Sequence, residues 1–472
     1  MTGVKGQFTV YYGTFVDAPA FEEPLRFREH CAVGVNAGDG QIRFVEEQCD
    51  NPLGYTLQRY PDLVKEHVEV VTAPACGFFF PGFIDTHIHA SQYPNCGVLG
   101  DDSTLLDWLN KYTFPTEAAL SDCKWATQVY SAVIRRTLAC GTTTACYYTT
   151  IDTEAAKLMA QLCSASGQRA LVGKVCMDSN SPDYYVETKE ESLQGTLDLA
   201  LFIEEKLVDP KVKPVVTPRF APACSSQLLK ELGDISREHD WHIQTHLDEN
   251  FQEIEWVAEL FPESKSYTGV YADHGLLGSS TVFAHCVHMT QEEIELVREA
   301  QAGIAHCPES NTALMSGECP VTDLYKAGVH KIGLGTDVSA GASCSILDAA
   351  RAAQTVARHR AMHDRAVDKL SLAQCLYLGT MGGAAVLNMA DKVGSFEVGK
   401  QFDAQLLDLQ SAGSTIDIFP WQREVMVSKG KQGDVKTSAP QPLDTSEIVR
   451  KWFYTGDDRN VSNVWIAGKK VK

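Results

Sequence analysis

Pro81-Gly82-Phe83-Ile84-Asp85-Thr86-His87-Ile88-His89-Ala90-Ser91-Gln92 is the stretch whose reading decides the fold. A Pro-Gly turn leads into a short apolar, β-branched run that ends in polar residues, the pattern of a buried strand between a turn and a loop. Side chains alternate across a strand, so the spacing predicts Asp85, His87 and His89 on one face and Ile84, Thr86 and Ile88 on the other. Two imidazoles one strand period apart can hold one metal ion, and neutral imidazole suits zinc. The motif alone is weak. With 14 histidines in 472 residues, chance supplies roughly 0.4 His-x-His pairs, so its weight rests on the remainder of the chain.

Downstream, strand and helix patterns alternate. Strand-like runs fall at 142–148, 170–177, 212–220, 241–247, 281–287, 302–307 and 330–336. Helical stretches fall between and after them, at 105–111, 122–139, 153–167, 190–207, 225–239, 290–300, 321–327, 345–363 and 371–387. Thr290 and Glu293 form a capping-box sequence at the start of one of these. Eight strands alternating with helices over roughly 250 residues predict an α/β protein with a (β/α)₈ TIM barrel. A doubly wound sheet shares the rhythm, but no Gly-x-Gly-x-x-Gly follows an early strand.

Upstream, 8–16 is aromatic and β-branched, and 32–45 reads as a hairpin turning at Asp39-Gly40. After the barrel, 393–409 and 463–471 return to strand patterns, and 437–444, with two prolines and no apolar period, reads as a surface loop. The simplest organisation is a barrel over 79–390 with a smaller, β-sandwich-like domain built from both chain ends, 1–78 and 391–472.

Composition narrows the function classes. Hydrophobic residues at 44% and charged residues at 22% are ordinary for a soluble globular chain. A net charge of −20 excludes a general nucleic-acid or anionic-membrane surface, which needs clustered Lys and Arg. A neutral small molecule fits better than a polyanion. The fifteen cysteines include no C-x-x-C pair, so neither a zinc ribbon nor a small disulfide scaffold is expected. They read as reduced core thiols. No apolar run approaches bilayer length and the first residues lack a signal-peptide core, so the expected location is the cytoplasm.

In a (β/α)₈ barrel, active residues sit at the C-terminal ends of the strands. Strand one ends in His87 and His89, strand five in Thr245-His246, strand six in Ala284-His285, and strand eight in Gly335-Thr336-Asp337. One such histidine is more often a core or loop residue than a ligand. Five metal-competent residues at the same end of their strands are the specific signal.

This constellation resembles the amidohydrolase superfamily, which carries His-x-His after strand one, His after strands five and six, and Asp after strand eight. Within it the chain resembles the guanine deaminases, through residues 81–93 and 109–115, Gly141-Thr142-Thr143-Thr144-Ala145-Cys146-Tyr147, Val216-Thr217-Pro218-Arg219-Phe220 and Gly333-Leu334-Gly335-Thr336-Asp337. The likeness runs from about residue 70 to Gly456-Asp457-Asp458-Arg459-Asn460. At strand five the family more often has Ser where this chain has Thr245 and Asp248.

The resemblance implies zinc held by His87, His89, His246 and Asp337, one ion per subunit. Two-metal relatives use a lysine at the end of strand four, where this chain has Thr217-Pro218-Arg219-Phe220. It further implies Glu249 as the non-ligand acid/base, as in the zinc nucleobase deaminases, with Asp337 and His285 as the other catalytic groups. Guanine would lie against His89, Gln92, Arg219, Phe220, His246, Glu249 and Asp337. Arg219 offers donors only and so favours a ring carbonyl over an amino group, while Gln92 both donates and accepts. Phe220 is expected on the ring face. Trp108 and Tyr112 are candidates for the cavity wall, and His306 for a supporting position. His288, His359 and His363 read as surface residues. The expected reaction is hydrolytic deamination of guanine to xanthine and ammonia by a homodimer. The alternatives are an amidohydrolase acting on another cyclic amidine (adenine, cytosine or an s-triazine) and a catalytically dead scaffold, which would have lost ligands.

Overall fold

The computed structural model describes residues 8–98, 105–422 and 442–472. Residues 437–441 of the expected surface loop lie outside them. Eight parallel strands follow one another in chain order: Phe83–His89, Thr142–Tyr148, Arg169–Gly173, Val212–Pro218, His242–Leu247, Thr281–His285, Gly303–His306 and Ile332–Leu334. The backbone closes the ring beyond the last of them, where Asp337 N donates to His87 O at 2.9 Å and His89 N to Val338 O at 3.2 Å. The third strand differs from expectation. It breaks at Lys174 and resumes as Val175–Cys176, which pairs with the end of the fourth.

The barrel interior is packed by Ile84, Cys146, Leu171, Val215, Val282, Ala284 and Ala305, seven residues from six strands. Ala384, Val386 and Leu387 join this cluster and lie against the strand starts, where a Cβ on Gly303 would meet Val386 at 2.9 Å. The strict alternation expected of the first strand fails here. Ile84 belongs to the interior, whereas Ile88 packs outward with Tyr130 and Val133 of the helix Cys123–Ala139. Two register irregularities against the second strand, at Phe83/Ile84 and Asp85/Ile88, account for the change of face.

The second domain is one eight-stranded mixed sheet. Its main path runs Lys469–Lys470, Val461–Ile466, Ala404–Asp408, Gly77–Pro81, Phe8–Asp17, Arg26–Asn36, Ile42–Glu46, with Val68–Thr72 also pairing with Phe8–Asp17. Both chain ends build it, as the sequence suggested. It folds over itself: Ile42 N donates to Lys400 O and Phe402 N to Gly40 O, each at 2.8 Å. Tyr11, Phe15, Phe79, Phe402 and Trp465 fill the space enclosed.

Strand Gly77–Pro81 of this sheet leads directly into the first barrel strand, so the sheet fixes where the His87 strand enters the barrel. A helix the sequence reading missed, Thr445–Thr455, braces that junction. Asp444 and Glu447 form its capping box. Its Trp452, wholly buried, stacks on Phe83 at 6.0 Å and meets Phe78 edge-on at 5.5 Å.

Candidate active site

The strand ends bring the five metal-competent side chains together. Ligand atoms of His87, His246, His285 and Asp337 all lie within 4.8 Å of one another. His89 joins them, its Nε2 standing 3.3 Å from His246 Nε2 and 3.3 Å from Asp337 Oδ1. His87 Nε2 is 3.2 Å from Asp337 Oδ1. His285 Nε2 stands farther out, 3.8 Å from Asp337 Oδ2 and 3.7 Å from Glu249 Oε2.

Several of these residues hold backbones that ordinary side chains avoid. Asp248, His285 and Asp337 have φ of +50°, +74° and +46°, a region that costs a non-glycine residue on the order of 1–3 kcal/mol. His285 and Asp337 reach the cavity from these strand ends, whereas Asp248 does not line it. Asp85, wholly buried, helps hold the arrangement: it accepts from His87 N at 3.2 Å and from Thr336 N and Oγ1 at 3.1 and 2.6 Å, tying strand one to the turn after strand eight. Burial pushes the Asp85 carboxyl up to about 7.

Hydrogen bonds behind the rings decide which nitrogens face inward. His246 Nδ1 lies 2.6 Å from the carbonyl of Arg219. A carbonyl can only accept, so Nδ1 carries the proton and neutral Nε2 presents a lone pair to the cluster. Burial lowers His87 to about 4 and His246 well below the usual imidazole range, keeping both rings neutral. His285 behaves differently. Burial opposes its charge, but the Glu249 and Asp337 carboxylates outweigh that and raise its pKa; its Nδ1 bonds Asn311 Oδ1 at 2.8 Å. Burial works against ionisation of Asp337 too, yet the His87 and His89 rings set against it hold it well below the usual carboxylate range. The Nε2 atoms of His87 and His285 are buried without a well-formed hydrogen bond. Converging neutral imidazoles and an ionised carboxylate, with inward nitrogens left unsatisfied, form a donor set that fits a divalent transition-metal ion.

A cavity opens beside this cluster, lined by His89, Gln92, Arg219, Phe220, Glu249 and Leu314 among others. Trp108 lines it as expected, whereas Tyr112 does not; the Tyr112 ring instead meets that of Trp108 at a tilt, 5.1 Å between centroids. Glu249 is buried, with its carboxyl pushed up to about 7, chiefly by burial. Its backbone N donates to Glu253 Oε2 at 3.1 Å, and Ser316 Oγ reaches its Oε1 at 3.4 Å. Thr245, one of the departures from the family pattern, points away from the chemistry and bonds the Tyr271 hydroxyl at 2.9 Å, which donates in turn to His246 O.

Among the other histidines, His306 is buried, and burial pushes it down to about 3. His359 and His363 are exposed as expected. His288 is not a free surface residue: its Nε2 bonds Ser316 O at 2.6 Å and its ring lies 3.9 Å from that of Phe251.

Four buried residues of the site escaped the sequence reading: Asp85, Glu117, Glu253 and Asn311. Glu253 is the third residue of the helix Phe251–Leu260, where its N donates to the N-cap Asn250 Oδ1 at 3.0 Å, so an Asn-x-x-Glu capping pattern could have found it. Glu117 and Asn311 meet their partners across 102 and 26 residues of chain, with no local pattern to announce them.

Known proteins match this architecture along the chain. The Amidohydrolase family matches residues 78–471, and the chain belongs to that family. Within it, the guanine deaminase of Dictyostelium discoideum is 44% identical over 397 residues, spanning 84% of this chain and 82% of that protein. The guanine deaminase of Mus musculus is 41% identical over 471 residues, spanning 98% and 96%. Among solved structures, guanine deaminase from C. acetobutylicum with guanine bound in its active site superimposes with a TM-score of 0.85 at 30% identity, covering 98% of this chain and all of that one.

Proposed function

We propose that this protein is a zinc-dependent guanine deaminase. The observation that carries the proposal is the pairing, in one cavity, of the histidine–aspartate cluster with Arg219 and Gln92. Arg219 offers donors to a ring carbonyl and Gln92 a polar amide to the adjacent ring edge, which suits guanine better than an adenine-like amidine. Phe220 supplies an apolar face for the ring.

His87, His89, His246 and Asp337 are the residues we assign to one zinc ion per subunit. His285 is left out of the set because its Nε2 stands farther out, 3.8 Å from Asp337 Oδ2, where His87 and His89 Nε2 lie 3.2 and 3.3 Å from Oδ1. A zinc ion held by these residues would supply a Lewis acid that eases ionisation of the attacking water near neutral pH.

The remaining work falls to side chains. Glu249 takes one proton from the water and delivers it to ring N3, and the second water proton passes to the departing amine as the oxygen becomes the C2 carbonyl. Asp337 accepts from the water as it approaches, and His285, drawn towards its charged form by Glu249 and Asp337, stabilises oxygen charge developing at C2. Water oxygen bonds to C2, the exocyclic C2–N bond breaks, and the products are xanthine and ammonia. A homodimer working in the cytoplasm completes the reading. It agrees with the free state of all fifteen cysteines, and sedimentation and fractionation test it.

The deciding experiment measures ammonia release by purified, metal-analysed protein on guanine, adenine, cytosine and an s-triazine amine. Release from guanine alone, abolished by a chelator and restored by zinc, is expected. Silence on guanine with zinc bound overturns the substrate assignment. Full activity in metal-free protein overturns the metal assignment.

A further inference from the structure

The two residues expected to read the base share a single buried partner. Glu117 lies on the short helix Phe114–Ala119 and is wholly buried. Its Oε2 receives Arg219 Nη1 at 2.7 Å and the Tyr185 hydroxyl at 2.8 Å. Its Oε1 receives Gln92 Nε2 at 3.2 Å and Arg219 Nη2 at 3.4 Å. Phe114 packs its ring 5.1 Å from the Arg219 guanidinium. Glu117 does not line the cavity beside the histidines, whereas Gln92 and Arg219 do.

Hydrogen-bonding capacity gives this arrangement a direction. A carboxylate accepts and does not donate. The Gln92 amide must therefore turn its nitrogen to Glu117, which leaves Oε1 as the atom it offers a ligand. An amide side chain is otherwise free to present either end. Two of the five guanidinium hydrogens of Arg219 are spent on the same carboxylate and a third faces Met177 Sδ at 4.0 Å, and the rest remain donors. The cavity thus presents one fixed acceptor beside one fixed donor.

From this we infer that Glu117 is a positioning residue that sets the polarity of base recognition, making the site a reader of a lactam edge, a ring carbonyl next to a ring N–H. A carbonyl faces Arg219 and the N–H faces Gln92 Oε1. An amidine edge, with an amino group and a bare ring nitrogen in those places, sets donor against donor and acceptor against acceptor. Mismatched buried polar groups of this kind reject a ligand more strongly than lost apolar contact does. The inference rests on the guanine deaminase reading and deepens it, because Gln92 becomes a committed acceptor where the sequence alone left it ambivalent.

The test compares guanine with 2,6-diaminopurine, which carries the same amino group at C2 but replaces the lactam edge by an amidine. Ammonia release is measured for wild type, Glu117→Asp and Glu117→Gln, with zinc content and melting temperature recorded. Glu117→Gln frees the Gln92 amide to turn. The ratio of kcat/KM for guanine over 2,6-diaminopurine is expected to fall at least tenfold, mainly through a higher KM for guanine with zinc retained. Glu117→Asp, which keeps the charge that compensates buried Arg219, is expected to fold and to lie between the two; it carries the test if Glu117→Gln does not fold. A uniform loss on both bases, leaving the ratio within twofold of wild type, marks a purely structural role and overturns the inference. Wild-type protein silent on guanine overturns the functional reading itself, and the inference with it.

Discussion

At the scale of single residues, environment sets the titratable groups of the site apart. His87 and His246 are buried among other imidazoles and stay neutral. Glu249, three residues past His246, is buried with its carboxyl raised to about 7, where a proton can be taken and returned near neutral pH. We predict that Glu249→Gln lowers kcat on guanine by about 10²- to 10⁴-fold while zinc content is unchanged. The pH dependence has a definite sign. Taking a proton requires the carboxylate, so activity should fall as pH drops through the Glu249 pKa, at about 7 or below once a bound cation favours the ionised form. That acid limb should be missing from the residual activity of Glu249→Gln; its persistence would assign the limb to another group. The clustered histidines and Asp337 were legible because each follows or ends a strand whose pattern could be read. Glu117, Asn311 and Asp85 were not, because a buried polar residue declares its role only through a partner the fold supplies.

At the scale of elements, strands and capped helices read correctly where hydrophobic period and turn chemistry agreed, as in Cys123–Ala139 with its Asp122 cap and in Gln291–Ala300 with its capping box. Readings failed where the backbone leaves its period. The single helix expected at 371–387 is Leu372–Tyr377 and Gly383–Val386 joined by a wider turn at Leu378–Gly382. The first barrel strand changes face at its bulges, which no alternation rule anticipates. Helix Thr445–Thr455 had both a capping box and apolar residues at helical spacing, so its omission was a missed signal. Its Trp452 stacks between the β sheet and Phe83, so we predict that Trp452→Ala destabilises the protein by about 3–5 kcal/mol, read from denaturant midpoints. A loss under 1 kcal/mol would mean the helix is an ornament to the junction.

Glycine at a close approach supplies a second element-scale test. A Cβ on Gly335 would stand 2.8 Å from both His87 Cβ and Cys307 Sγ, where strand eight crosses strand one. Gly335→Ala must displace the His87 strand by some tenths of an ångström. About 1–3 kcal/mol of overpacking cost is expected, together with weaker zinc retention on dialysis. Wild-type retention and activity would show that the closure has more slack than the packing suggests.

For the whole molecule, the question is whether barrel and sheet are two bodies or one. Strand Gly77–Pro81 of the sheet and strand Phe83–His89 of the barrel are consecutive, separated only by Gly82. A buried ion pair locks the domains again at a second place: Arg169, opening barrel strand three, meets Asp403 beside sheet strand Ala404–Asp408, with Nε–Oδ2 at 3.1 Å and Nη2–Oδ1 at 3.2 Å. Gln401 Oε1 accepts from the same guanidinium, and Asp403 Oδ1 also takes Ala467 N at 2.7 Å. Removing one partner of a buried pair strands the other, so Arg169→Leu should cost about 3–5 kcal/mol. The form of the loss is more informative than its size. If sheet and barrel share one cooperative unit, loss of guanine turnover and loss of far-ultraviolet dichroism move together to lower denaturant, with an unchanged slope. Turnover that disappears well before the dichroism would instead show the barrel mouth melting alone. The sheet would then be a separate domain that happens to adjoin the His87 strand, and not the part of the fold that holds it in place.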